Sequence, residues 1–212
     1  MKGGSNNMNR TEAKNLLKRR EELYELLQKI ENDNSNNLFP VWLYNISRTN
    51  TTNTIINIDK RLSMFAKDSP VGEWLMRIHG ITPSLAAGIL AYFNIKDKVC
   101  AAQFIKYAGT SSCKNPHSNT VKKLMDQITY RFKSDPDSLY GRLNDNKFID
   151  LLKEDPDLDL ETAHIRADRY MLKVFLSHLF EEMYREAHNG KLPDRYNDNT
   201  KIIIEPEVPY TK

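Results

Sequence analysis

Between Leu75 and Leu90 the chain reads as two short helices folded back on each other: Leu-Met-Arg-Ile-His-Gly-Ile-Thr-Pro-Ser-Leu-Ala-Ala-Gly-Ile-Leu. Gly80 allows a backbone angle that other residues resist. Pro83 then stands where a helix favours it, because its missing N–H is an orphan in the first turn anyway. Thr82, just before it, can cap the second helix through its hydroxyl. Leu75, Ile78, Ile81, Leu85, Ala86 and Ile89 flank the turn and would pack the two helices together.

A turn of this kind resembles a helix-hairpin-helix, which holds DNA by its phosphates. The backbone amides of the turn and the N-terminus of the second helix face an anion, which the helix dipole favours. The common form has glycine on both sides of the apolar residue, whereas here Thr82 stands in the second place. A plain helical corner would show the same pattern, so both readings stand at this point. On the DNA reading the gripping residues are Gly80, Thr82, Pro83 and Ser84.

Charge along the chain favours the first reading. Residues 101–134 carry six Lys/Arg against Asp126 alone, while residues 135–212 carry 17 Asp/Glu against 11 Lys/Arg. The basic excess therefore follows the hairpin, where a phosphate would use it. Lys106, Lys114, Lys122 and Lys123 are the candidates there. Arg166, Arg169 and Lys173 fall three and four residues apart, share one helix face, and could track a phosphate backbone. Ion pairs to neighbouring acids explain that face equally well.

The rest of the chain has helical periodicity. Leu16, Leu23, Leu27 and Ile30 make one stripe of an amphipathic helix over residues 10–31, with Thr11 as its cap. The run from Glu31 to Asn37 is expected to end it and serve as a link. Residues 38–66 suggest two short helices interrupted at Asn50–Asn53, with isoleucine and threonine also allowing a strand. Further helices are expected at 100–108, stopped by Gly109, and at 121–132, after a polar loop from Thr110 to Asn119. Two more follow at 138–152 and 160–187, the last with a broad apolar face from Ala163 to Met183. The expected class is therefore all-α: a helical bundle containing the hairpin, with an N-terminal amphipathic helix and a long C-terminal helix. Its divisions are an arm and linker at 1–36, the helical domain at 37–196, and an extended tail at 197–212.

A hydrophobic content of 40% supports a core. No apolar run approaches the roughly 18 residues of a membrane span, and Met1 to Met8 has no apolar segment of a secretory signal. A cytoplasmic protein is expected. Cys100 and Cys113 lack metal-ligand or redox spacing and read as free buried thiols. His164, His178 and His188 do not meet carboxylates at a metal-ligand spacing. No metal and no cofactor is expected.

Four segments recur together in one family. They are Ile78-His-Gly-Ile-Thr-Pro83, Phe104-Ile-Lys-Tyr-Ala-Gly109, the run from Ala163 to Leu179, and Gly190-Lys-Leu-Pro-Asp-Arg-Tyr196. Residues 70–196 thus resemble the C-terminal domain of insertion-sequence transposases related to Piv-type DNA invertases, and more closely its small stand-alone relatives in phages and mobile elements. In the full transposases a RuvC-like N-terminal domain supplies four acidic residues for metal-dependent strand cleavage, and a serine of the C-terminal domain is the nucleophile. This chain departs on both counts. Its first 70 residues are too short for that domain and show no strand–Asp pattern. Its loop reads Thr110-Ser-Ser-Cys113, where Ser111 and Ser112 have no evident activating base.

The expectation is a non-catalytic DNA-binding protein of a phage or mobile element, backbone-dominated and weak in sequence preference. A helical protein-binding module, such as a phage-borne inhibitor of a host defence nuclease, is one alternative. An accessory subunit of a transposase or recombinase is another. A homodimer could form through the N-terminal helix.

Overall fold

The computed structural model of the chain describes residues 8–35, 40–96, 98, 100–109 and 119–191. Lys114, Cys113, Ser111, Ser112 and the 197–212 tail lie outside the described residues. The described residues are all-α, in chain order α1 (Arg10–Ser35), α2 (Val41–Lys67), α3 (Pro70–Arg77), α4 (Pro83–Tyr92), α5 (Ala101–Tyr107), α6 (Asn119–Ser134), α7 (Leu139–Glu154) and α8 (Leu160–Ala187). None of these helices is long and apolar enough to cross a membrane.

Helix α1 starts at a reciprocal cap made by Asn9, not at the Thr11 cap expected from the sequence. The Asn9 side-chain oxygen accepts from the Glu12 N–H, and the Glu12 carboxylate accepts from the Asn9 N–H, both at 3.0 Å. The helix also runs past its expected end at Glu31. Asparagine is a poor helix former, yet α1 packs along α2, and Arg48 of α2 reaches the Glu31 carboxylate at 3.6 Å. Tertiary contact overrides local propensity here. The apolar stripe of α1 faces α2 and α4, with Leu23 in the common core.

The break expected at Asn50–Asn53 is absent, and so is any strand there. Val41–Lys67 is one helix because Thr51, Ile55, Ile58, Leu62 and Ala66 are buried at spacings of four, three, four and four. The stripe crosses the polar run, and the Thr54 hydroxyl donates to the Asn50 carbonyl at 2.8 Å. At its end the chain turns sharply into α3. Ser69 caps α3, its hydroxyl accepting from the Gly72 N–H at 3.4 Å. A Cβ at Gly72 would lie 1.9 Å from the Ala66 carbonyl oxygen, so only glycine lets α3 meet α2 backbone to backbone.

The long helix α8 is the spine. Its Asp159 cap accepts from the N–H groups of Glu161 and Thr162 at 3.0 and 2.8 Å. Phe175 joins Phe132 of α6 and Tyr140 of α7, with ring centroids 5.3 Å apart in both pairs. One turn on, Phe180 meets Phe104 of α5 at 5.5 Å, and Phe104 meets Phe93 at 5.3 Å. Offset and edge-on rings add about 0.5–1.5 kcal/mol per pair beyond burial itself. The buried Tyr140 hydroxyl is satisfied by Nδ1 of His178 at 2.8 Å. Helix α5 ends at Gly109, φ +73°, as expected. Cys100, expected to be buried, is an exposed free thiol at the start of α5, because its β-conformation places it outside the helix.

Two outcomes follow. Gly72→Ala should lower unfolding free energy in urea titrations by about 1–3 kcal/mol or more, the usual range for forcing a methyl into a filled space. Asp159→Ala should destabilise at neutral pH only. The Thr162 side-chain hydrogen bond, with those from the Thr162 and Glu161 amides, holds the Asp159 carboxyl below its ordinary pKa, so the folded state gains above the unfolded pKa. That gain is lost as pH falls through the lowered folded value. Melting temperatures of the two proteins should therefore converge in acid.

Candidate functional site

The turn between α3 and α4 is held from inside. Ile78 and Ile81 are buried on either side of it, and the Ile81 N–H donates to the Ile78 carbonyl at 3.1 Å. Gly80 between them has φ +90°. A Cβ there would come within 3.2 Å of the Arg131 backbone and the Phe132 ring, so the turn sits directly on the end of α6. Thr82 is the N-cap of α4; its hydroxyl accepts from the Leu85 N–H at 3.4 Å and lies 3.1 Å from the Ser84 hydroxyl. Pro83 is the first helical residue. Gly80, Thr82, Pro83 and Ser84 thus lie at one turn, at the start of α4.

This first turn of α4 opens onto a groove of about 950 Å³. Arg20 and Tyr24 of α1 border it, with Asp59 and Lys60 of α2 beside them, and Asp126, Tyr130 and Arg131 of α6 close the far side. Arg20 Nε reaches Asp59 Oδ1 at 2.6 Å, and those two charges cancel. Lys60 and Arg131 are exposed and make no ion pair with a described residue. Against them stands the Asp126 carboxylate. The groove therefore keeps a positive balance beside the N–H groups of a helix N-terminus.

The other predicted residues lie elsewhere. Lys106 of α5, Lys122 of α6, and Arg166, Arg169 and Lys173 of α8 are exposed, but none borders the groove. Lys123 is paired with Glu21 of α1, and that hydrogen-bonded carboxylate raises its pKa above the ordinary lysine value. Its charge is occupied by that carboxylate. Lys133 is similarly tied to Asp168 of α8 at 3.1 Å.

Arg20, held by Asp59, and the exposed Lys60 and Arg131 line the groove, and sequence reasoning did not assign them to the site. The available signal was partial. Arg20 with Tyr24, and Ile56 with Asp59, Lys60 and Ser63, each share one helix face by spacing. Spacing does not say which faces meet.

The α6–α7 loop also approaches the turn. Ligand atoms of His79, Asp135 and Asp137 lie within 4.8 Å of one another, and His79 Nδ1 is 3.8 Å from Asp135 Oδ2. These donor types suit a divalent cation; with His79 half exposed, the geometry is equally that of a solvated ion pair. The grouping joins residues too far apart in sequence for any spacing rule to find.

No protein-family model matches this sequence, and no curated protein matches it.

Removing the cap should loosen α4 without unfolding the protein. Thr82→Ala is expected to cost about 0.5–1 kcal/mol in urea titration, the low end for an N-cap because its hydrogen bond is long. Thr82→Ser should restore most of that.

Proposed function

We propose that this chain is a DNA-binding protein without strand-cleaving chemistry of its own, which takes a backbone phosphate at the start of α4. One observation carries this reading: the N-terminus of α4 opens onto the same groove as Lys60 and Arg131, cations of two other helices that make no ion pair with a described residue. The amides near Thr82 and Ser84 supply directed donors, and the cations supply the long-range attraction. Lys106, Lys122, Arg166, Arg169 and Lys173 would extend the attractive field without touching that phosphate. Contacts of this kind position a duplex or strand and read little sequence. Such an activity suits the phage or mobile-element setting that the resemblance of residues 70–196 implies.

A protein partner is the second reading, and it has its own observation. Val41, Trp42 and Ile46, at the start of α2, are 70%, 65% and 52% exposed. Apolar side chains gathered at one helix end could dock on another protein.

Fluorescence polarisation with labelled single-stranded, duplex and branched DNA across a salt series tests the first reading. The parent should bind at low salt, with log affinity falling linearly in log salt. A folded Lys60→Glu, Arg131→Glu variant should bind more weakly and reduce that slope by about 1 for each phosphate that is no longer neutralised. Absence of binding to every form at low salt would sink the DNA reading and leave the protein-partner one.

A further inference from the structure

We propose that the groove at the start of α4 receives an unpaired nucleobase, so that the protein prefers single-stranded or locally opened DNA to intact duplex. This rests on the DNA reading above and names the form of DNA that the site would take.

The groove is more than a charged recess. Tyr24 and Tyr130 face it from α1 and α6, 40% and 68% exposed, and Ile56 of α2, 45% exposed, lies on the same lining. Exposed apolar side chains are ordinary when scattered. Here three, from three helices, converge on one opening beside the cations of the phosphate site. Tyr24 already carries the Arg20 guanidinium, 4.8 Å from its ring centroid, which makes a stacked cation–aromatic pair that a further flat group could extend. Tyr130 makes no ring contact with a described residue. Its ring is open to a ligand.

A positive groove with interleaved aromatic rings is the arrangement by which proteins hold single strands: phosphates meet the cations, and bases stack on the rings. Every base offers the same flat face, so the contact needs no particular sequence. Asp126 and Gln127, on the same lining, add an acceptor and a two-way amide for the base edge. The volume of about 950 Å³ falls within the range of roughly 300–1,000 Å³ usual for organic ligands. In a duplex the base faces are covered by their neighbours, and a tyrosine reaches one only after the base leaves the stack. A strand already open escapes that cost. The selectivity for unpaired DNA follows from this difference.

The test compares two labelled oligonucleotides of the same sequence, one single-stranded and one closed as a blunt hairpin, with a third duplex bearing a single bulged 2-aminopurine. The parent should bind the single strand about tenfold more tightly than the hairpin and quench the 2-aminopurine. Tyr130→Ala should lose about tenfold on the single strand, a typical stacking contribution, with hairpin binding within twofold of the parent. Tyr130→Phe, which keeps the ring, should behave as the parent. Tyr24→Ala should repeat the selective loss, and serves in its place if Tyr130→Ala does not fold. Equal binding of both forms by the parent, or equal losses on both in the alanine variants, would overturn the base pocket and leave the phosphate grip standing. A loss in Tyr130→Phe matching that in Tyr130→Ala would also overturn it, by assigning the contact to the hydroxyl. Failure of the parent to bind any of the three at low salt would remove the DNA reading itself.

Discussion

The approach of Gly80 to the end of α6 holds the candidate site together. Because Gly80 has no side chain, the turn rests on the Arg131 backbone and the Phe132 ring. Phe132 in turn is fixed from below by Tyr140 and Phe175, at centroid distances of 4.8 and 5.3 Å. A chain of packed groups therefore runs from the core to the surface and sets the Arg131 side chain beside the first turn of α4. Dense interiors pass small displacements on rather than absorbing them. The distance between this cation and the α4 amides is thus decided as much by the rings beneath as by the turn.

Electrostatics across the molecule shows why a count of charges along a chain is a weak guide to where it meets an anion. The basic stretch after the hairpin contains Lys123 and Lys133, and both are paired across helices, with Glu21 and Asp168. They bridge α6 to α1 and to α8. Lys60 comes from a segment with no conspicuous excess of positive charge, yet it borders the groove and makes no ion pair with a described residue. Two cations of the same type can thus have opposite roles, decided by whether a carboxylate lies within reach. Exposed pairs of this sort contribute little to stability; their effect is to occupy a charge.

Most of the helices were legible in the sequence, and the reason is periodicity. The bounds of α8 coincide with those expected, because Ala163, Ala167, Met171, Val174, Phe175, Leu179 and Met183 form a stripe with a clear stop at each end. The α3–α4 turn was legible because glycine, threonine and proline each have a narrow set of backbone uses. The expectations failed where composition was weighed against packing. The Asn-rich end of α1 and the Asn50–Asn53 run both look like breaks, and both are helical because a neighbouring helix lies along them. Cys100 was expected to be buried from residue-type tendency alone, which says nothing of a single cap position. The groove was not legible, since it exists only where faces of α1, α2, α4 and α6 converge.

The place of α8 in both aromatic clusters also has a bearing on how the chain acquires its shape. Helices α1 and α2 are adjacent in sequence and pack on each other, so their pairing closes only a short loop. The rings of Phe132 and Tyr140, and those of Phe93 and Phe104, are completed only by Phe175 and Phe180, far along the chain. During synthesis, which proceeds from the N-terminus at about 5–20 residues per second, the early hairpin can form while the two ring clusters still lack their shared partner. The surface that carries Gly80 and Arg131 is then among the last parts to settle, because its foundation emerges from the ribosome after it does.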